Sequence, residues 1–295
     1  MDSPSASRVA DAIPAAPRAT ADARVAARRF YRHRLPVRLM HWINVVCLTI
    51  LLMSGLTIFN AHPALYWGRD STFADPWVSI MAVPGPTGAT GVTRIGGRNF
   101  DTDGVLGASK VGDAAQKTVR AFPSWATIPG GQWLSMGRHW HFFFAWLFVI
   151  NGIAYVAYSI ASGHLSRDLL PTRAEWRHIG RSIKDHLLFR HPTGEAAKRY
   201  NVLQNIAYLV VIFGLLPLVV MAGLAMSPRL DAVFTGWVDL LGGRQSARTL
   251  HVLAARGLLL FVLVHVFEVL ISGVWNQLRS MVTGWYALPA DKGEQ

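Results

Sequence analysis

Four long apolar runs, separated by polar segments, dominate the pattern of this chain. They cover residues 39–59, 138–161, 202–226 and 250–274. Each run has about 20 residues, which is the length that an α-helix needs to cross the hydrocarbon core of a bilayer. The pattern therefore predicts an all-α membrane protein built as a bundle of four transmembrane helices.

The polar segments set the expected domain organisation. Residues 1–30 are rich in Ala, Arg, Ser and Pro and lack the apolar core of a signal peptide, so we expect a disordered tail. The helical domain is expected at 31–285, with a C-terminal tail at 286–295. Residues 60–137 contain many Gly and Pro turn signals and four tryptophans, which predicts an extended irregular loop with short strands or turns. A second long loop is expected at 162–201.

Charge adds an orientation to this arrangement. The chain has 29 Lys and Arg against 17 Asp and Glu, a net charge of +12, although 52% of its residues are hydrophobic. Eighteen basic residues lie in the two tails and the 162–201 loop, and ten lie in the segments on the opposite side. The positive-inside rule then predicts that both termini are cytoplasmic and that the 60–137 loop is periplasmic. The basic surplus is interpreted as membrane topology and not as a nucleic-acid site.

Histidines within the apolar runs carry the main chemical signal. His251 and His265 are fourteen residues apart, so one helix places them on nearly the same face, about 21 Å apart along its axis. By depth, His41 on the first run is level with His265, and His141 on the second run is level with His251. Two layers with two imidazoles each, and a single cysteine at Cys47, favour bis-histidine haem iron over zinc or covalently attached haem.

Neighbouring residues refine these two layers. Gly55 and Gly152 lie on the same helix faces as His41 and His141, one layer further along, where a missing side chain leaves room for a porphyrin; close helix packing is the alternative. His139 is about 200° around the helix from His141, so only one of the two can face the bundle centre. We take His141, which lies deeper in the apolar run.

These residues resemble the dihaem cytochrome b subunits of the Ni,Fe-hydrogenase, formate dehydrogenase and thiosulfate reductase-like group, in the bacterial cytochrome b561-like superfamily. The shared features are HW after RLM, a GRxxHxFF stretch that starts at Gly137, and YNxxQ at the start of the third run. The resemblance covers the four helices and the cytoplasmic loop. It implies that His41 and His265 bind the cytoplasmic-side haem, and that His141 and His251 bind the periplasmic-side haem.

The resemblance also implies a quinone site and a redox partner. Asn201 and Gln204 lie where the third helix leaves the cytoplasm and are suited to hydrogen-bond a quinone carbonyl; capping of that helix is the alternative. The implied cofactors are two haem b, with quinone or quinol as exchangeable substrate. The implied partner is a periplasmic redox subunit of molybdopterin or hydrogenase type. The chain would then be an electron-transfer subunit in the bacterial inner membrane and not a catalyst alone.

Two other functions stay open at this point. One is a stand-alone cytochrome b561-like oxidoreductase that acts on a small molecule at the outer haem. The other is a transporter or membrane scaffold whose histidines relay protons or only pack. Activity of the purified single chain would identify the first, and a colourless preparation would identify the second.

Overall fold

Four long helices form the body of the molecule. A computed structural model describes residues 29–86, 88–114, 116–177, 179–188, 201–234 and 236–288. Its four candidate membrane-spanning helices are α1 (Leu35–Asn60), α2 (Leu134–Ala161), α5 (Val202–Ala225) and α8 (Arg244–Ile271). The shorter helices are α3 (Arg173–Arg177), α4 (Ile179–Leu187), α6 (Pro228–Val233), α7 (Trp237–Leu240) and α9 (Val274–Thr283). The mostly helical membrane fold that the hydropathy pattern predicts is confirmed.

Large apolar side chains cover the outside of these four helices. On α2, Phe143, Trp146 and Ile150 follow one another at helical spacing, and each is between 62 and 67% exposed. A continuous apolar surface of this kind is unfavourable in water, and it is stabilised when lipid covers it. The exposed faces therefore fit a protein whose outer solvent is hydrocarbon.

The spanning helices begin earlier than the apolar runs suggest. The predicted starts at residues 39, 138 and 250 become Leu35, Leu134 and Arg244. Hydropathy detects only the part of a helix that lies in hydrocarbon, whereas backbone hydrogen bonding continues through polar turns near the interface. At its other end α8 stops before Gly273, whose φ of 98° ends the helix and separates α8 from α9.

The four helices pack as two close pairs. Helix α1 lies along α2, and α8 lies along α5. A Cβ on Gly137 would come within 2.8 Å of the Thr57 Cγ2 atom, so α1 and α2 touch almost backbone to backbone at one end. Further along, Asn151 donates through Nδ2 to the Met40 carbonyl and to Asn44 Oδ1, each at 2.8 Å. These contacts fix the register of α1 against α2.

Residues 61–133 form a compact β structure, which corrects the expected irregular loop. We call this segment the β cap. Strands β2 (Ala64–Leu65), β3 (Val78–Gly85), β4 (Gly88–Ile95) and β5 (Arg98–Asp101) form one antiparallel sheet in that order, and β6 (Gly107–Lys110) pairs with β7 (Lys117–Arg120). The two-residue Gly96–Gly97 turn between β4 and β5 has positive φ at both positions, as tight hairpins require. The many glycines therefore make turns between strands.

The β cap is fastened to α1 and α8. Phe59 at the end of α1 packs with Phe122, Ile80 and Val252 in one apolar cluster. The Asn60 side chain accepts a hydrogen bond of 2.7 Å from the Phe122 backbone N–H. Since Val252 follows His251 on α8, the cap lies directly over one end of the bundle. We call this end the outer face.

The opposite end, called the inner face, carries both ends of the described chain. Strand β1 (Arg29–Tyr31) pairs antiparallel with β8 (Trp285–Ala287), next to α9. Residues 29–30, expected in the disordered N-terminal tail, are therefore ordered because they pair with residues 286–287, expected in the C-terminal tail. The rest of the expected N-terminal tail, residues 1–28, and residues 189–200 of the expected 162–201 loop lie outside the described residues.

Candidate functional site

The four helix histidines come together as two pairs. The ring centroids of His41 on α1 and His265 on α8 are 6.3 Å apart. Those of His141 on α2 and His251 on α8 are 6.1 Å apart. The first pair lies toward the inner face and the second toward the outer face, so we call them the inner pair and the outer pair. The structure thus brings together the partners that the depth of each residue predicts.

The spacing within each pair fits one metal ion held between two imidazoles. A metal lies about 2.0 Å from the imidazole nitrogen that binds it, and that nitrogen lies about 1.1 Å from the centroid of its ring. Two imidazoles on opposite sides of one metal therefore have centroids about 6.2 Å apart. A direct hydrogen bond between two ring nitrogens, at about 3.0 Å, would bring the centroids to about 5.2 Å. The observed distances of 6.3 and 6.1 Å are those expected for a metal between the rings and exceed those of a direct hydrogen bond; they also lie within the range of ordinary edge-to-face ring contacts.

The ligand set fits haem iron. Among the described residues, no group of three or more His, Cys, Asp or Glu side chains could hold a metal ion. Zinc sites use three or four protein ligands, which neither pair can supply. Haem iron needs only two axial ligands from the protein. Two paired imidazoles in an apolar bundle therefore fit the donor set of a bis-histidine haem.

Hydrogen bonds orient the two imidazoles of the outer pair. His251 Nδ1 lies 2.7 Å from the Val219 carbonyl oxygen, which can only accept, so Nδ1 carries the proton. His141 Nδ1 lies 3.1 Å from Ser54 Oγ, and that hydroxyl already donates to the Ile50 carbonyl at 2.6 Å. The Ser54 oxygen therefore accepts from His141. Both Nε2 atoms keep a free lone pair, which is the state that binds a metal.

Glycines seat the outer imidazoles from both sides. A Cβ on Gly55 of α1 would lie 3.4 Å from the His141 ring, in ordinary contact. A Cβ on Gly223 of α5 would lie 3.1 Å from two atoms of the His251 ring, which is tighter than most real contacts. The missing side chain also lets His251 reach the Val219 carbonyl one turn away. The space beside Gly152 is open, with nothing within 4 Å of a built Cβ.

Aromatic rings surround the inner pair. Phe261, one turn before His265 on α8, stacks on its ring with centroids 6.0 Å apart and planes within 15°. Trp42 meets the His41 ring edge to face at 5.5 Å, and its indole N–H donates to the Met281 carbonyl of α9. Phe261 thus contacts His265 from the side of the bundle centre, and Trp42 links the His41 end of α1 to α9 at the inner face.

The alternative ligand on α2, His139, points elsewhere. Its side chain is exposed, and its Nδ1 lies 2.9 Å from the Ser135 carbonyl of the same helix. No contact joins it to His251 among the described residues, whereas His141 forms the outer pair. The geometry therefore favours His141 as the residue that faces the bundle centre.

Asn201 and Gln204 form a capping box at the start of α5. The Asn201 side-chain oxygen accepts from the Leu203 backbone N–H at 3.1 Å, and Gln204 Oε1 accepts from the Asn201 N–H at 3.2 Å. Ser182 of α4 also donates to the Asn201 oxygen. Both amide oxygens are thus used in the helix cap, as the capping interpretation of these two residues predicts. The cap leaves the two amide NH2 groups as the donors.

Several other described histidines lie outside the spanning helices, among them His33 and His62. Burial, together with the positive charge of nearby Arg32, lowers the pKa of His33 to about 4, so His33 is neutral at pH 7. Burial also lowers the pKa of His62 in the β cap, with a smaller contribution from Arg248. Neither belongs to a histidine pair.

The fold and the paired histidines define a class: a four-helix membrane protein with the ligand geometry for haem at two depths. A family model described as prokaryotic cytochrome b561 matches residues 32–284, and the chain belongs to that family. It is therefore a haem-binding, electron-transfer b-type cytochrome of the membrane, which confirms the resemblance seen in the helix motifs.

Two curated relatives extend over most of the chain. One, from Azospira oryzae, is named a putative protein-methionine-sulfoxide reductase subunit YedZ1 and is 26% identical over 84% of this chain and 93% of its own length. Another, from Cupriavidus necator, is named a probable Ni/Fe-hydrogenase B-type cytochrome subunit and is 23% identical over 95% of this chain and 96% of its own length. No solved structure matches the chain.

Three features of the site were missed from the sequence. Ser54, the Val219 carbonyl and Gly223 all act through contacts between neighbouring helices. A serine or a glycine in an apolar run is common, so neither residue type stands out by itself. Only the distance to a histidine could have identified them, and that distance depends on which helices pack together.

Proposed function

We propose that the chain binds two haem b and carries electrons between a quinone at the inner face and a redox partner at the outer face. His41 and His265 would hold the inner haem, and His141 and His251 the outer haem. The carrying observation is the centroid distance of 6.3 and 6.1 Å in the two pairs, which suits iron between two imidazoles. When bound, haem iron supplies one-electron redox chemistry.

The protein's own residues determine the path of electrons between the two proposed haem sites. One histidine of each pair, His251 or His265, lies on α8. These two residues are fourteen positions apart, which separates the two sites by about 21 Å along the helix axis. Helix hydrogen bonds at Ser54 and Val219 keep the outer imidazoles fixed and raise their basicity. Electrons can move either way along this path, and the redox partner determines the direction.

A quinone is proposed to bind beside the start of α5. The capping box uses the amide oxygens of Asn201 and Gln204, and the amide NH2 groups are suited to donate to a quinone carbonyl. The capping and quinone interpretations are therefore compatible. The cap fixes which way each amide points, and the quinone would use the donors that the cap leaves.

The β cap is proposed to be the docking site of the redox partner. It packs through Phe59 and Val252 onto the end of the bundle that carries the outer pair. Both relatives are named as subunits of larger redox systems, one with a hydrogenase and one with a methionine-sulfoxide reductase. A partner of either class would exchange electrons at this face. With both termini cytoplasmic, the cap would lie in the periplasm of a bacterial inner-membrane protein.

Two isosteric variants test the quinone step without removing the helix cap. Asn201→Asp and Gln204→Glu keep an oxygen that accepts the capping hydrogen bonds but lose the NH2 donors. In liposomes, we expect quinol to reduce the haem in both variants at least tenfold more slowly than in wild type. Reduction by dithionite and the haem content should not change.

Other results would contradict the proposal. Quinol reduction at the wild-type rate in both variants would refute the quinone site at α5. A wild-type chain that oxidises or reduces a small molecule at the outer face, at full rate and without a partner subunit, would refute the partner-linked function. It would support the stand-alone oxidoreductase instead.

A further inference from the structure

Three of the four paired histidines have an arginine three residues before them. The pairs are Arg38 with His41, Arg138 with His141, and Arg248 with His251. On a helix, a residue at this spacing lies on nearly the same face, about 4.5 Å nearer the N-terminus. Each of these histidines lies close to the N-terminus of its helix. The arginine therefore lies between the histidine and the membrane surface.

Two of these arginines are held in place but have no anionic partner in the part of the chain that the structure describes. Arg38 and Arg248 form no ion pair with a carboxylate among the described residues, whereas Arg244, one turn earlier on α8, pairs with Asp231 at 3.0 Å. The Nε atom of Arg38 is buried and has no hydrogen-bond partner. Both side chains are partly buried, and a partly desolvated guanidinium is stabilised by an anion, so an anion is expected to complete each site.

The surrounding structure holds the Arg38 guanidinium against Gly284 at the inner face. A Cβ on Gly284 would lie 2.8 Å from Arg38 Nη1, and Gly284 has a φ of 90°. The Gly284 carbonyl accepts hydrogen bonds from the backbone N–H groups of Arg32 and His33. The strand pair β1–β8 thus covers the Arg38 guanidinium from the inner face.

The Arg248 guanidinium is held at the outer face in a similar way, by the end of α1 and the β cap. Its Nη2 donates to the His62 carbonyl, and its Cζ atom lies 5.5 Å from the centroid of the Phe59 ring. Both partners are uncharged, so the positive charge is not neutralised. Arg138 differs, because it is exposed and its Cζ lies 5.7 Å from the ring of Phe142 on its own helix.

We propose that Arg38 and Arg248 bind the carboxylates of the haem propionates, Arg38 at the inner haem and Arg248 at the outer haem. This inference depends on the proposed binding of two haems. The propionates are the anionic edge of haem b, and guanidinium groups bind carboxylates through charge-assisted hydrogen bonds. Arg138, with the same spacing but turned toward Phe142, does not take this role.

Redox titration of glutamine variants tests the assignment. Loss of one positive charge favours the ferric over the ferrous haem. A unit charge about 10 Å away, at an effective dielectric constant of about 20, changes the reduction equilibrium on the order of tenfold. For a one-electron couple tenfold corresponds to 59 mV. Arg38→Gln should lower the potential of the inner haem alone, and Arg248→Gln that of the outer haem alone.

Matched controls separate this effect from a general change in charge. Arg244→Gln removes a paired arginine from the same helix, and Arg138→Gln removes the arginine with the same spacing. Water screens these more exposed charges, so both variants should shift the potentials by at most about 20 mV, against about 59 mV for Arg38→Gln and Arg248→Gln. Shifts in the controls as large as those in Arg38→Gln and Arg248→Gln would overturn the proposal.

A second measurement removes the charge from the haem. Wild-type apoprotein should bind haem b at least tenfold more tightly than its propionate dimethyl ester. Arg38→Lys and Arg248→Lys, which keep the charge, should retain most of this preference if the glutamine variants lose haem. Equal binding of haem and ester by wild type would overturn the inference. A wild-type protein without haem would instead refute the proposed function itself.

Discussion

The contact between Gly223 and His251 gives a sharp prediction about the outer pair. A Cβ at position 223 would lie 3.1 Å from both Cε1 and Nδ1 of the His251 ring, and the γ carbons of valine would come closer still. In Gly223→Val the imidazole has to turn away from α5. It then loses its 2.7 Å hydrogen bond to the Val219 carbonyl.

The magnitude follows from two effects. Overpacking in a close-packed interior costs about 1–3 kcal/mol. A buried donor and acceptor left without each other cost about 1–3 kcal/mol more. The sum of about 2–6 kcal/mol, at 1.4 kcal/mol per tenfold, weakens haem binding at the outer pair between about 30-fold and 10⁴-fold. The inner pair shares no contact with Gly223 and should keep its haem.

Haem counting with a matched valine substitution provides the assay. Pyridine haemochrome measurements on purified Gly223→Val should give one haem per chain instead of two. Gly214→Val is the control, since position 214 lies in the same helix and nothing is within 4 Å of its built Cβ. Two haems with wild-type spectra in Gly223→Val would refute the reasoning, and so would an equal loss in Gly214→Val.

Three more outcomes are expected. Ser54→Ala removes the acceptor for the His141 Nδ1–H and makes the His141 imidazole less basic. The midpoint potential of the outer haem should therefore rise, and haem should bind about 10- to 100-fold more weakly. Asn151→Leu removes two hydrogen bonds between α1 and α2, and thermal unfolding should show about 1–2 kcal/mol of lost stability with both haems still bound. In the β cap, the hydrogen bond from Lys117 lowers the pKa of Asp103, helped by the Gly91 backbone N–H. The stability that Asp103 gives the β cap is therefore present above about pH 4 and is lost as the pH falls through the lowered pKa. Protease resistance of the β cap, measured as a function of pH, should show this loss. Asp103→Asn should abolish the pH dependence.

The pairing of the histidines could be predicted because it depends on few quantities. The rise per residue of a helix and the alternating direction of four spans set the depth of each residue. That reasoning places His41 level with His265 and His141 level with His251, and the structure has those pairs at 6.3 and 6.1 Å. The choice between His139 and His141 needed the rotation of α2, which the packing of Gly137 on Thr57 sets.

Local pattern predicts short strands and turns in the β cap but not how the strands pair into a sheet. Val78–Gly85 has a partly alternating pattern, but Pro84 and Gly85 at its end indicate a loop when the sequence is read alone. The strand forms because it pairs with Gly88–Ile95 and because β6 crosses it closely. A Cβ on Gly107 would lie 2.3 Å from the Met81 carbonyl, so the glycine is needed for this crossing. Contacts between distant segments, which local patterns do not contain, decide the fold here.

The central claim is that two haems are each held by one pair of histidines. A dithionite-reduced minus oxidised spectrum, with pyridine haemochrome quantitation, tests it in wild type and in alanine variants of His41, His139, His141, His251 and His265. Wild type should contain two b-type haems per chain. Each variant except His139→Ala should lose one, and His41→Ala and His265→Ala should lose the same one. A colourless wild type, or loss of the outer haem in His139→Ala with retention in His141→Ala, would contradict this account.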